Sequence, residues 1–220
     1  MPTVLITGAN RGIGLEFATQ YSQDGWDVIA TARQSSPELD ALKVRVEPLE
    51  LSDLDAVAAF GERINRPLDL LIANAGTMEP SEAATAEDAR AWAEMLIVNS
   101  IAPYLLARSC LDRVAAAKGK AIAITSGMGS IADNSSGGYV PYRTSKAALN
   151  MAWRSLALDT RSQGIVCAVL NPGWVKTRMG GPGARTTPHD AVANMRRTID
   201  QLGPDQSGGF FNYDGRPYPW

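Results

Sequence analysis

The sequence predicts a doubly wound α/β fold, a parallel sheet with helices packed on both faces. Three observations carry that expectation. Short apolar runs alternate with longer amphipathic or alanine-rich stretches along all 220 residues, the pattern of repeated βα units. The first apolar run leads straight into a glycine-rich turn, Thr7-Gly8-Ala9-Asn10-Arg11-Gly12-Ile13-Gly14. No linker, repeat or low-complexity tract interrupts the alternation, so residues 1–220 are expected to form one domain.

Each element has its own reason. Residues 3–7 (TVLIT) are apolar and β-branched, as a strand requires. Residues 12–23 read as a helix, because Ile13, Phe17 and Tyr21 recur at a spacing of four. Residues 28–31 and 44–49 give the second and third strands. Ser52 or Asp53 can cap a helix running to about Ile64, with Val57, Phe60 and Ile64 on one side. Residues 68–73 form a buried fourth strand. A long helix is expected over 86–117, bent at Pro103. Residues 121–125 give strand five, 142–161 a helix, 165–170 strand six, 190–201 a helix and 210–211 the last strand. Crossovers between parallel strands should be right-handed.

Composition excludes several function classes. The chain is 45% hydrophobic and 20% charged, which is neither disordered nor collagen-like. Lys and Arg number 21 against 23 Asp and Glu, so no basic excess points to nucleic acid and no polybasic run to a membrane surface. No apolar stretch reaches the roughly 18 residues that span a bilayer. The opening MPTVLITG reads as a strand rather than a leader, and a cytoplasmic setting is expected. Cys110 and Cys167 lie far apart in apolar segments and are expected as buried free thiols. His189 is the lone histidine, a helix-start residue after Pro188; it leaves little room for a His-based metal site or a Ser-His-Asp triad, and no metal is expected.

A glycine-rich strand-to-helix turn lets phosphates approach backbone N–H groups at a helix N-terminus. The spacing Gly8-x3-Gly12-x-Gly14 differs from the commonest dinucleotide fingerprint, and no Lys-Ser or Lys-Thr follows it as in a P-loop. Alone, such a turn is equally a compact structural loop. Its place after the first strand favours dinucleotide binding. About 20 residues on, an NAD binder usually carries an acid, whereas this chain has Thr31-Ala32-Arg33. Arg33, with Arg11 in the turn, can instead clamp a 2′-phosphate, so NADP is expected over NAD.

Tyr142-Arg143-Thr144-Ser145-Lys146 places a phenol and an ammonium four apart on one helix face. A nearby ammonium is expected to lower a tyrosine pKa and make it a proton donor and acceptor. The pair alone is equally a surface pair. Strand five, however, ends in Thr125-Ser126 and strand four in Asn74-Ala75-Gly76, and parallel sheets gather ligands at these strand ends. Ser126 is therefore placed to hydrogen-bond a substrate oxygen. Asn99 lies mid-helix, where Asn is a poor helix former; it is either a satisfied core group or part of a proton relay.

With these residues in hand, the chain resembles the short-chain dehydrogenase/reductase family over nearly its whole length. The motifs stand in family order: Thr-Gly-x3-Gly-Ile-Gly at Thr7 to Gly14, Asn-Ala-Gly at Asn74 to Gly76, Asn99, Ser126, Tyr-x3-Lys at Tyr142 to Lys146, and Pro-Gly-x3-Thr at Pro172 to Thr177. The tail Ser-Gly-Gly-Phe-Phe-Asn-Tyr-Asp-Gly from Ser207, the final Pro219-Trp220, and Trp174 resemble the branch with C-factor-like proteins and the carbonyl reductase sniffer. The resemblance implies a Rossmann fold with seven parallel strands in the order 3-2-1-4-5-6-7. It implies hydride transfer from NADPH to an aldehyde, ketone or quinone, or the reverse from an alcohol. Ser126 would polarise the carbonyl, Tyr142 would donate the proton, Lys146 would lower the Tyr142 pKa and hold the ribose, and Asn99 would position a relay water. Gly8, Asn10, Arg11, Gly12, Ile13, Gly14, Arg33, Asn74, Ala75 and Gly76 would bind cofactor, with Pro172, Gly173, Val175 and Thr177 at its nicotinamide end.

Some features depart from the family pattern. The acid near the adenine appears as Glu50, followed by Leu51. The gap from Ser126 to Tyr142 is 16 residues, longer than usual, with the extra residues expected at 134–138 and Ser130 as a rival serine. Met128, Tyr139, Trp174 and Met179 are expected to wall an apolar substrate pocket beside a short substrate loop near 177–190; ordinary core packing would use the same residue types. Alanine-rich helices around Asn99 and Tyr142 allow close packing, and the family pairs them between subunits, which implies a homodimer or homotetramer. The C-factor resemblance also keeps open an NADP(H)-binding signalling or sensor protein with little turnover.

Overall fold

Most of the runs expected as strands are withdrawn from water, the edge run at 44–49 excepted. Every residue of β1 (Thr3–Thr7) and β4 (Leu70–Ala73) is buried. Successive side chains of a strand point to opposite faces, so such runs need cover on both sides. The computed structural model, which describes residues 1–79 and 81–220, provides it. With β2 (Asp27–Ala32), β3 (Arg45–Pro48), β5 (Lys120–Ile124), β6 (Val166–Asn171) and β7 (Gly209–Asn212), these strands form one parallel Rossmann-type sheet. Its order is β3-β2-β1-β4-β5-β6-β7, as expected.

The alternation divides the core in two. Leu5, Ile29, Leu71 and Cys167 face Phe60, Leu106 and Trp153, which belong to or adjoin α3 (Leu54–Ala58), α5 (Ala102–Ala117) and α6 (Val140–Asp159). Val4, Ile6, Val28 and Ile72 face Phe17, Tyr21, Val192 and Met195, on α1 (Gly12–Gln23) and α7 (Pro188–Gln201). β1 sits where strand order reverses, so a crevice opens beyond the carboxyl ends of β1 and β4.

Several boundaries differ from expectation. The helix expected to reach Ile64 is α-helical only over α3; Phe60–Arg63 tightens to a 3₁₀ turn. Val57, Phe60 and Ile64 are nonetheless buried. The cause is a close approach: a Cβ at Gly61 would strike the Ser109 carbonyl of α5. The long helix comprises α4 (Ala86–Leu96), a π turn at Ile97–Ile101 and then α5. The irregularity therefore precedes Pro103, which sits in the first turn of α5. A short helix, α2 (Pro37–Ala41), fills the connection after β2, capped by Ser36 with proline at its start. α6 begins at Val140, two residues early, because Tyr139 takes a left-handed conformation before it. Cys110 and Cys167 are free and buried, and burial pushes both thiols up to about 11. Among the described residues no helix is long and apolar enough to cross a membrane.

Gly61→Ala should cost about 1–3 kcal/mol by overpacking against α5. Thermal denaturation should show it as a lowered Tm, by roughly 2–4 °C per kcal/mol, with dinucleotide affinity unchanged.

Candidate active site

The glycine-rich turn is shaped by close approach. Gly8 (φ 65°) and Gly12 (φ 56°) occupy the left-handed region. A Cβ at Gly8 would lie 2.9 Å from Ala75 Cα, and one at Gly14 would strike the Gly8 carbonyl and the Asn74 amide. The turn after β1 thus rests directly on the segment after β4. Thr7 staples them: its Oγ1 accepts from the Asn74 and Ala75 backbone N–H groups at 3.0 and 3.1 Å, and Asn74 Nδ2 donates to the Thr7 carbonyl at 2.9 Å. Asn10 Nδ2 ties the turn to the Gln34 carbonyl at 3.0 Å, beyond β2.

These residues fit a dinucleotide. Ser36, Asp53, Thr85 and Thr187 cap other helices with their side chains. The N-cap of α1 is Arg11, which makes no such bond, and its first turn holds no acid. Its first N–H groups are left for an anion. Positive charge surrounds them. Burial and the nearby guanidiniums of Arg178 and Arg33 all lower the Arg11 pKa. Arg33 pairs only distantly with Glu50, at 3.8 Å, whose other oxygen accepts from the Ser52 N–H. Leu51 is buried beside it. Among the described residues neither Arg11 nor Arg178 forms an ion pair. The loop at 172–177 folds over the turn, since a Cβ at Gly12 would lie 3.3 Å from Thr177 Cγ2. Asn171 Oδ1 anchors that loop by accepting from the Gly173 and Gly127 N–H groups. No group of metal-ligating side chains is present among the described residues.

Ser126, Tyr142, Lys146 and Asn99 meet at the adjoining edge. Ser126 follows β5, and its Oγ accepts from the Met128 N–H at 3.1 Å. Tyr142 and Lys146 are buried on α6, with the ammonium 6.0 Å from the phenol ring centre. Lys146 Nζ donates to the Ile124 carbonyl at 2.9 Å. Burial lowers Lys146 to about 8. It also pushes Tyr142 up to about 12, against the pull of a hydrogen bond with Ser126. Desolvation therefore dominates, the opposing pull coming from Ser126 and not, as expected, from Lys146, and the phenol is protonated at neutral pH. Ser130, the rival, spends its hydroxyl on the Trp220 carbonyl and the Asp133 N–H. The longer spacing is absorbed in the exposed segment 131–140, braced by Arg143 against the Gly137 and Gly138 carbonyls.

The π turn has a clear consequence: it carries Asn99. Asn99 Oδ1 accepts from the Thr77 N–H at 2.8 Å, and Nδ2 donates to the Thr77 carbonyl at 2.7 Å and Ser145 Oγ at 3.0 Å. A Cβ at Gly76 would lie 3.2 Å from Asn99 Oδ1 and 3.6 Å from Lys146 Nζ. The missing side chain leaves the amide and the ammonium open to one another.

The expected pocket residues are less unified. Met128 is half-buried in the turn after Ser126. Trp174 is exposed but fixed by Nε1 donating to the Gly180 carbonyl at 2.7 Å, and Met179 is exposed on the same loop. Tyr139 lines a cavity of about 320 Å³ with Trp92 and Val140, which includes none of the other three. Trp92 and Arg178 were not singled out from sequence. Trp92 Nε1 donates to Thr144 Oγ1 at 2.9 Å, beside the Tyr-x3-Lys motif, but no sequence spacing links residues 92 and 144. Arg178 had a signal, its position next to Thr177 in the Pro-Gly-x3-Thr motif.

Comparison with known proteins agrees with this geometry. A family model described as short chain dehydrogenase matches residues 2–187. The C-signal of Myxococcus xanthus is 43% identical over 155 residues, 70% of this chain and 93% of that protein. The carbonyl reductase Sniffer of D. melanogaster superposes with a TM-score of 0.92 at 33% identity, over 100% of both chains. An NADPH-bound carbonyl reductase from chicken fatty liver gives a TM-score of 0.88 at 34% identity, covering 100% of this chain and 99% of the other.

Asn99→Leu should leave the Thr77 N–H and carbonyl unpaired, each costing about 1–3 kcal/mol. Asn99→Asp keeps the acceptor and should lose less. Denaturant titration of both variants checks the order.

Proposed function

This chain belongs to the short-chain dehydrogenase family, and we propose that within it the chain is an NADPH-dependent carbonyl reductase for a small apolar aldehyde, ketone or quinone. The observation that carries the reading is the contact of two half-sites. Ser126, Tyr142, Lys146 and Asn99 adjoin a helix N-terminus left open to anions and ringed by Arg11, Arg33 and Arg178.

The chemistry that NADPH supplies when bound is hydride for the carbonyl carbon. The rest falls to side chains. Ser126 donates a hydrogen bond to the carbonyl oxygen, and Tyr142 gives that oxygen its proton as the C–H bond forms. The carbonyl becomes an alcohol, one proton being drawn from solvent per turnover. Asn99 positions a water that links Lys146 to solvent, and through Lys146 the proton returns to Tyr142. The turn from Gly8 to Gly14, including Asn10 and Ile13, holds the pyrophosphate. Arg33 and Arg11 take the 2′-phosphate, and Glu50 and Leu51 flank the adenine. Asn74, Ala75, Gly76, Pro172, Gly173, Val175 and Thr177 border the nicotinamide half. The NADPH bound in the chicken enzyme supports this cofactor choice. Met128, Tyr139, Trp174 and Met179 meet the substrate from a loop near 177–190 within the same domain. A cytoplasmic homodimer or homotetramer completes the reading.

Identity with C-signal favours a second reading, an NADP(H)-binding signalling protein with little turnover. The two part on one assay, in which purified protein is given NADPH and a panel of aldehydes, ketones and quinones. Reductase function predicts substrate-dependent loss of NADPH absorbance; binding without turnover across the panel favours the signalling reading. Tyr142→Phe should lower kcat by about 10²–10⁴-fold while NADPH still binds; full activity in that variant would refute the mechanism. In fluorescence titrations Arg33→Ala should weaken NADPH far more than NADH. Equal losses would remove Arg33 from the 2′-phosphate.

A further inference from the structure

The segment 217–220 crosses back over the carbonyl side of the site. It is anchored on β7: the Tyr218 N–H donates to the Phe210 carbonyl at 2.7 Å, and the Tyr218 and Trp220 rings lie 4.9 and 5.4 Å from the Phe210 ring. From that base it reaches the stretch between Ser126 and Tyr142 at several points. The Trp220 carbonyl accepts from the Ala132 N–H at 2.8 Å and from Ser130 Oγ at 2.9 Å. Tyr218 OH donates to Asp133 Oδ2 at 2.6 Å. The same hydroxyl lies against Gly127, where a Cβ would come within 2.6 Å of it. Gly127 follows Ser126 directly and also donates its N–H to Asn171 Oδ1, which holds the Gly173 N–H.

One phenol therefore touches the residue next to Ser126 and the exposed segment leading to Tyr142. Beyond that phenol, the segment is held at its near end by the Trp220 carbonyl on Ala132 and by Ser130 Oγ on the Asp133 N–H. Residues 131–140 are exposed, and Arg143 braces only their far end. Resting on the carbonyl-reductase reading, we propose that Tyr218 is a positioning residue. By locking Gly127 and Asp133 it fixes the orientation of Ser126 toward the substrate oxygen, leaving cofactor binding to other elements. The hydrogen bond to Asp133, with some burial, keeps the phenol protonated well above neutral pH.

Tyr218→Phe keeps the ring on Phe210 and removes only the hydroxyl. Kcat should fall about tenfold, the scale of a small misplacement of a reacting group, with the NADPH Kd within about twofold of wild type. Hydrogen exchange at backbone amides 127–134 should quicken. Asp133→Ala, a change at an exposed position, should reproduce both effects. The double variant should be no worse than either single one, and Asp133→Asn, which keeps an acceptor oxygen, should recover most of the rate. The proposal is overturned if exchange at 127–134 is unchanged, if the two losses add, or if kcat falls only in step with a weaker NADPH Kd. Should wild type turn over nothing in the carbonyl panel, the reductase reading fails by itself; exchange in Tyr218→Phe then still decides whether the lock exists.

Discussion

Everything at the centre of this molecule depends on one buried amide. Asn99 is fully withdrawn from water, and its donors and acceptor are spent on Thr77 and Ser145. An unpaired group there would carry its whole desolvation cost, so the three bonds act as a constraint on the elements they join. Thr77 continues the segment after β4, which the glycine-rich turn rests upon. Ser145 sits between Tyr142 and Lys146 on α6. A π turn is a rare departure from helix geometry, often found at functional sites. Here it brings an amide from the middle of a long helix to the junction of the β4 segment with Tyr142 and Lys146.

Burial and charge are distributed unevenly about that junction. On the proton side the ionisable groups are dehydrated: Tyr142 is raised, Lys146 lowered, and the ammonium bonds to the Ile124 carbonyl rather than to a carboxylate. Around the glycine-rich turn, exposed arginines repel one another and lack close acids. Mutual repulsion is an unfavourable arrangement that an incoming polyanion relieves. The two halves call for opposite environments, and the sheet order keeps them apart: Arg11 and Arg33 follow β1 and β2, whereas Ser126 follows β5, with β4 between.

Much of this was legible in the sequence because the signals were local and periodic. The alternation of apolar runs gave the sheet, and Ile13, Phe17 and Tyr21 gave the helix after the turn. Ser126, Tyr142 and Lys146 fell together because strand ends and a helix face follow from spacing alone. Other features depended on contacts between distant residues. The α-to-3₁₀ change near Gly61 is set by Ser109, and the π turn at Ile97–Ile101 has no local signal, whereas Pro103, where a bend is expected, is the visible breaker. The Tyr142 pKa was misjudged, since a neighbouring charge can be read from spacing and the depth of burial cannot. Arg178 was read as part of a substrate loop, although the fold back over Gly12 brings it to the phosphate side.

The two cysteines acquire a meaning in this setting. Both thiols are enclosed in the core, and burial holds them in the protonated, unreactive form at neutral pH. Quinones and α,β-unsaturated aldehydes are electrophiles that alkylate exposed thiolates. Under the proposed reductase function, sulfur enclosed in this manner is shielded from the electrophiles the protein would turn over.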